Sequence, residues 1–224
     1  AGIFEKVMKV DPQRTWVYSQ LAECYKELGD YEAALNMYTT WVESPSMRAQ
    51  GYVDHFAMNN MVGYYKALGR LEELKTKNAA ELAAKPADKI NLTIQALIAH
   101  HEKRFDDALA MYQEMLKQGQ DSNIVYMILE VAEAAGRANE ILPDLKSRGL
   151  FDSFWDKERL ARLYVAQGNK EEAYAMWKQY AEQQGNWGYQ EVIRSLTDFG
   201  LWEQAEDFYM KNRKKTRDMD GYAF

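Results

Sequence analysis

Cysteine occurs once in the 224 residues, as Cys24, so the chain holds no internal disulfide and no cysteine-based metal site. Proline and glycine are also scarce, with 4 and 13 copies. The strand formers Val and Ile, 10 and 8 of them, are outnumbered by 27 Ala and 19 Leu, which excludes an all-β or doubly wound fold. No apolar run approaches the roughly 20 residues that span a bilayer, and the N-terminus lacks the basic-then-apolar pattern of a signal peptide. The expectation is a soluble segment without membrane insertion. A cytoplasmic setting is the plainest, and periplasm or an organelle matrix is equally compatible with a chain lacking disulfides. Positive charge is short too: 28 Lys and Arg face 34 Asp and Glu, for a net charge of -6 and a pI near 5.3. That balance opposes nucleic-acid binding, which rests on clustered cations neutralising phosphates.

What is present is 47% hydrophobic and 13% aromatic, enough for a packed core. A unit of about 34 residues would fit the chain about 6.6 times. Short turns recur at Gly29-Asp30-Tyr31, Gly69-Arg70-Leu71, Lys103-Arg104-Phe105, Gly136-Arg137-Ala138, Gly168-Asn169-Lys170 and Gly200-Leu201-Trp202, spaced 40, 34, 33, 32 and 32 residues apart. Five begin with glycine, which ends a helix in the left-handed conformation at little steric cost, and Lys103 is the departure. Before each turn runs a helical apolar stripe, as in Tyr18, Leu21, Ala22 and Tyr25, in Met58, Met61, Val62 and Tyr65, in Val125, Ile128, Leu129 and Ala132, and in Leu160, Ala161 and Tyr164. After the turn a small residue precedes a large one by four: Ala34 and Tyr38, Ala108 and Tyr112, Ala173 and Trp177, Ala205 and Tyr209. Small-against-large spacing lets paired helices interlock. Pro12, Pro45 and Pro86 end second helices.

A large residue, Leu, a small residue, Tyr, Gly-Asp-Tyr, Ala with an aromatic, then Pro resembles the tetratricopeptide repeat (TPR), most clearly over Tyr18 to Pro45. The expected fold is all-α, a right-handed superhelix of antiparallel helix pairs. Its divisions are 1–14, the second helix of an incomplete repeat; 15–54, with a lengthened loop over Ser44 to Asp54; 55–88; 89–121; 122–153, a divergent unit with Ile141 in place of Ala and Pro143 forecasting a kink or a delayed helix start; 154–185; 186–217; and a tail, 218–224. The chain looks excerpted from something longer. Ile3, Phe4, Val7 and Met8 then form an N-terminal contact face, open to a second protomer or to covalent continuation, while Lys211 to Arg217 suits a solvated last helix.

The resemblance implies that first helices line a concave groove. Residues thirteen, ten, six and three before each turn form a stripe turned away from the core, led by Trp16, Phe56, Ile90, Asn123, Trp155 and Trp187. Further along stand Lys26, Asn59, Lys66, Thr93, Leu97, His100, Tyr126, Glu158, Arg162 and Arg194. An aromatic ladder with interspersed charges suits a peptide or amphipathic helix of a protein partner; the competing expectation is that the leading aromatics only pack on the preceding unit. The Lys, Asn and Arg clamp by which chaperone-binding members of the family hold a C-terminal carboxylate is missing, since Ser19, Glu23, Gly63, Thr93 and Leu97 occupy its places.

Chemistry of other kinds has little footing. Adjacent His100 and His101 point about 100° apart on a helix and do not chelate as an i, i+4 pair does. No phosphate loop, nucleophile elbow or zinc-binding motif is present, so neither an enzyme nor a cofactor is expected. Cys24 is expected to be buried and inert, Asn91-Leu92-Thr93 a chance glycosylation match, and Met58, Met61, Met111 and Met115 core. The leading expectation is a non-catalytic interaction scaffold. A regulatory or targeting segment of a larger enzyme or secretion apparatus, and a self-assembling subunit, are the alternatives.

Overall fold

Each short turn closes a helix with the same pair of main-chain hydrogen bonds, and this recurring closure organises the molecule. In the computed structural model, the residue after each turn residue donates its N–H to the carbonyl five residues back. Asp30 donates to Tyr25 (2.9 Å), Arg70 to Tyr65 (2.8 Å), Arg104 to Ala99 (2.9 Å), Arg137 to Ala132 (2.8 Å), Asn169 to Tyr164 (2.8 Å) and Leu201 to Leu196 (2.8 Å). The turn residue itself bonds three back, so the carbonyls left over at a helix end are satisfied and the chain reverses at once. This geometry needs a positive φ, which Gly29, Gly69, Gly136, Gly168 and Gly200 adopt at 67–79°. Lys103 adopts it as well, at φ 63°, so the turn least marked in sequence has the same conformation as the others.

The structure describes residues 2, 4, 6–7, 15–45, 47, 53–119, 122–147, 154–184 and 186–214, without the side chains of 15, 122, 154–156, 186 and 187. Among these residues lie twelve helices and no strand. They are α1 (Thr15–Glu27), α2 (Tyr31–Val42), α3 (His55–Ala67), α4 (Leu71–Ala84), α5 (Lys89–His101), α6 (Phe105–Gln118), α7 (Ser122–Ala134), α8 (Ala138–Ser147), α9 (Phe154–Ala166), α10 (Lys170–Gln184), α11 (Asn186–Asp198) and α12 (Trp202–Asn212). Successive pairs form an all-α solenoid, organised as two compact units, residues 1–119 and 120–224.

In the first unit α1 packs on α2, α2 on α3, α3 on α4 and α5, and α5 on α4 and α6. Asp30, Asp54 and Asp88 cap α2, α3 and α5, their carboxylates accepting from Ala33, Ala57 and Asn91 N–H at 2.9–3.0 Å. Asp54 also accepts from Trp41 Nε1 at 3.0 Å, tying the end of α2 to the start of α3 across the lengthened connector. The core is built from the expected stripes: Tyr18, Leu21, Ala22, Met58, Met61, Val62 and Tyr65 are buried, as are Ala34, Tyr38, Ala108 and Tyr112. Tyr25 and Met111 are half-buried, each at the margin of its stripe.

In the second unit α7 packs on α8 and α9, α10 on α9 and α11, and α11 on α12. Val125, Ile128, Leu129, Ala132, Leu160, Ala161, Ala173 and Trp177 form its core. Pro143 lies inside α8, and that helix begins on schedule at Ala138, so of the two expectations, a kink or a delayed start, the delayed start does not occur. Tyr209 departs from expectation. It is 40% exposed, because Phe208 turns inward instead and stacks on Tyr189 at 5.6 Å. Lys211, Arg213 and Lys214 are exposed, as expected for a solvated end, and the last described helix also exposes Trp202 and Met210.

Candidate functional site

Trp16 on α1 and Phe56 on α3 occupy the same register, thirteen residues before their turns, and are 50% and 63% exposed. Each rests an edge on the preceding segment. Phe4 meets Trp16 edge-on at 5.9 Å, and Tyr38 meets Phe56 edge-on at 6.3 Å. Packing on the preceding unit and exposure are therefore not alternatives: one edge is held, and the rest of the ring is open. An aromatic cluster lies beneath, where Tyr38 stacks on Tyr64 at 5.9 Å and Tyr31 lies 6.1 Å from Tyr64. Burial pushes the Tyr38 phenol up to about 12, so it stays protonated and uncharged. Burial also raises Tyr64, against the pull of Lys26 on α1.

Polar groups continue this face. Lys26 pairs with Glu23 at 2.7 Å on the exposed surface, which raises its pKa. His101 Nε2 donates to Asn59 Oδ1 at 3.0 Å, and Lys66 Nζ donates to the His101 carbonyl. Burial lowers the His101 pKa, with His100 and Lys66 adding to the effect, so the imidazole is neutral at pH 7. His100, the expected groove residue, is half-buried with its ring 6.0 Å from Phe105. It is His101 that reaches Asn59, a residue the stripe rule passes over because it lies two before the turn.

On α5 the expected stripe is not open. Ile90, Thr93 and Leu97 are buried, and Thr93 Oγ1 is satisfied by the Lys89 carbonyl at 2.8 Å. The helix is apolar on nearly every side, with Ile94, Ala96, Ile98 and Ala99 buried as well, and it packs on α3, α4 and α6. A helix packed against three neighbours and apolar on most sides leaves little surface to solvent.

In the second unit Tyr126 is exposed beneath the Arg159 guanidinium, 5.1 Å from the ring centroid, and Arg159 pairs with Glu133 at 2.8 Å. Arg162 lies over the Phe199 ring at 5.2 Å, with Glu158 at 3.9 Å, and Arg194 pairs with Glu191. Burial raises the Glu158 pKa despite Arg162 and Arg194. The two arginines are exposed, and such pairs contribute about 0–1 kcal/mol. The side chains of Trp155 and Trp187, and residues Ile3 and Met8, lie outside the described residues. Phe4 and Val7 are half-buried, and the Phe4 ring meets Trp16.

Among the described residues no group of three or more His, Cys, Asp and Glu could hold a metal ion, and no helix is long and apolar enough to cross a membrane. Cys24 is half-buried, less enclosed than expected because it sits beside the core stripe and not on it. Asn91 is buried and its Nδ2 donates to Glu81 at 3.0 Å, which removes it as a glycan acceptor in the folded chain.

Two family models, each described as tetratricopeptide repeat, match the chain over residues 17–44 and 159–179. Among solved structures, a tetratricopeptide repeat protein from Parabacteroides merdae is similar at 15% identity and a TM-score of 0.43, over 95% of this chain and 84% of that one. No curated protein matches.

Proposed function

Since the chain carries tetratricopeptide repeats, a family of protein-interaction scaffolds, we propose that it is a non-catalytic module whose α1 and α3 face holds a peptide or amphipathic helix of a partner protein. One observation carries this reading: Trp16 and Phe56 stand in equivalent register, edge-supported and otherwise open, while Tyr18, Tyr38 and Trp41 nearby are buried. Rings held at one edge lose little side-chain freedom on binding, which favours their use as anchors.

Magnitudes set what else is needed. Each ring contributes about 1.5–3 kcal/mol on full burial, so two fall short of the roughly -8 kcal/mol of micromolar binding once ordering costs are met. Asn59, Lys26 and Lys66 supply the remainder as hydrogen-bond and charge contacts, which selects a partner bearing apolar anchors with carboxylates beside them. Tyr126, Arg162 and Arg194 give the second unit a comparable charged and aromatic surface of its own.

The test is peptide-library selection on the full chain, followed by calorimetry of the best ligand. Trp16→Ala combined with Phe56→Ala is expected to weaken binding at least tenfold while the thermal midpoint stays within a few degrees. Undiminished affinity in a folded double variant removes the reading.

A further inference from the structure

α12 packs on α11, and its outward face repeats, position by position, a surface that other second helices keep covered. Nine residues after the turn, Tyr38, Asn78, Tyr112, Leu145 and Trp177 are all buried, whereas Tyr209 is 40% exposed. Tyr38 shows what that position does: it crosses to the next first helix and stacks on Tyr64 at 5.9 Å. Six residues after the turn, Leu35, Leu109 and Leu142 are buried, and Glu206 is exposed in their place. Thirteen after it, Val42, Leu116 and Ala181 are buried, and Arg213 is exposed. Trp202 and Met210 complete this face at 66% and 61% exposure. At 3.6 residues per turn these five side chains fall within about 100° of one another, so they form one continuous stripe.

The two charges within the stripe select what can cover it. An ordinary apolar first helix seated there would bury Glu206 and Arg213 without counter-charges, and isolated buried charges are costly. A second α12 laid antiparallel supplies both counter-charges. Glu206 and Arg213 share their midpoint in the helix with Tyr209 and Met210, so a two-fold axis at that midpoint sets Glu206 opposite the partner's Arg213 and Tyr209 opposite the partner's Met210. Thioether-on-ring contact is favourable, and each ion pair occurs twice. A parallel copy would instead set Glu206 against the partner's Glu206, and like charges repel.

We propose that the outward face of α12 is a self-association surface, on which two copies of this chain form a two-fold dimer through antiparallel α12 helices. The helix has 11 residues and is about 16 Å long, so the contact is small and the dimer is of the weak, transient class. None of these residues belongs to the α1 and α3 face, so the dimer stands or falls independently of the role given to Trp16 and Phe56.

Sedimentation equilibrium of the full chain, from micromolar to millimolar concentration, tests this. The average mass is expected to climb from 26.0 kDa toward twice that value. Tyr209→Arg should weaken association at least tenfold. Glu206→Arg and Arg213→Glu should each do the same, whereas both exchanges in one chain, or an equimolar mixture of the two single variants, should restore it. All three positions are exposed, so the substitutions leave the core of the second unit intact, and an unchanged thermal midpoint checks this for each variant. A monomer across the whole range would overturn the dimer. So would association that survives Tyr209→Arg, which would belong to another surface such as that of Phe4 and Val7, or single charge reversals that their combination does not rescue.

Discussion

The seam where α2 meets α3 and the seam where α4 meets α5 are built on one plan and filled differently. In the first, Tyr38 of α2 stacks on Tyr64 of α3, and Asp54 holds the indole of Trp41 on α2 while capping α3. In the second, Asn78 hydrogen-bonds the Asn91 main chain, Lys75 replaces a core leucine, and a cleft remains. The difference teaches that the pair-to-pair plan is set by the turns and the stripe on the first helix, whereas the residue nine after the turn decides how tightly neighbours close. A polar residue there keeps the fold, at the expense of packing.

The sharpest way to break the comparison is truncation on both sides. Tyr38→Ala empties a buried aromatic site and should cost about 3–4 kcal/mol in urea unfolding, whereas Asn78→Ala removes only one amide from an already open seam and should cost about 1 kcal/mol. Equal losses would mean that the two seams contribute alike. Next in size is Asp54→Ala, which removes a cap and a charge-assisted hydrogen bond to Trp41 together; about 2 kcal/mol is expected, against about 1 kcal/mol for the exposed cap Asp30→Ala. Lys103→Gly should raise stability by about 0.5–1 kcal/mol because it relieves a left-handed backbone on a side chain with a Cβ, and Gly69→Ala should lower it by about 1 kcal/mol. Differential scanning calorimetry of the pair reads both signs.

The smallest effect is a pH dependence beside the second seam. Burial holds the His101 pKa below that of the unfolded chain, near 6.5, so the unfolded state takes up a proton first as pH falls. This contribution to stability is intact above about pH 6.5, declines as pH drops below it, and levels off once the folded-state pKa is passed. His101→Gln should flatten that part of the stability profile, and a profile unchanged by the substitution would assign the dependence to other groups.

Much of this architecture was legible in the residues. The five glycine turns, the Tyr18-type stripes and the small-large pairs mark the helix pairs because they express local backbone geometry and helical periodicity, which act over a few residues. Lys103 was harder to read because its left-handed conformation is enforced by the same closure that glycine adopts freely. The candidate face was legible at Trp16 and Phe56 and misleading at Ile90, Thr93 and Leu97, since burial of α5 depends on three neighbouring helices that periodicity within one segment does not report. Tyr209 and Phe208 lie one residue apart, and only packing against Tyr189 decides which turns inward. Asn78 carried a readable signal, an amide in a column of Tyr, Leu and Trp, visible once the columns are aligned on the turns.

The main-chain closure shared by the six turns also dictates where this molecule tolerates extra length. An insertion between the paired helices would have to open two hydrogen bonds and restore a positive φ, while the connector between Val42 and His55 already differs in span from its counterparts without disturbing the cap at Asp54. Foreign loops, tags or sensor domains placed at Gly29 or Gly69 should uncouple the two arms of a hairpin, and in that connector they should be carried only where they leave the buried Met47 and Val53 in place.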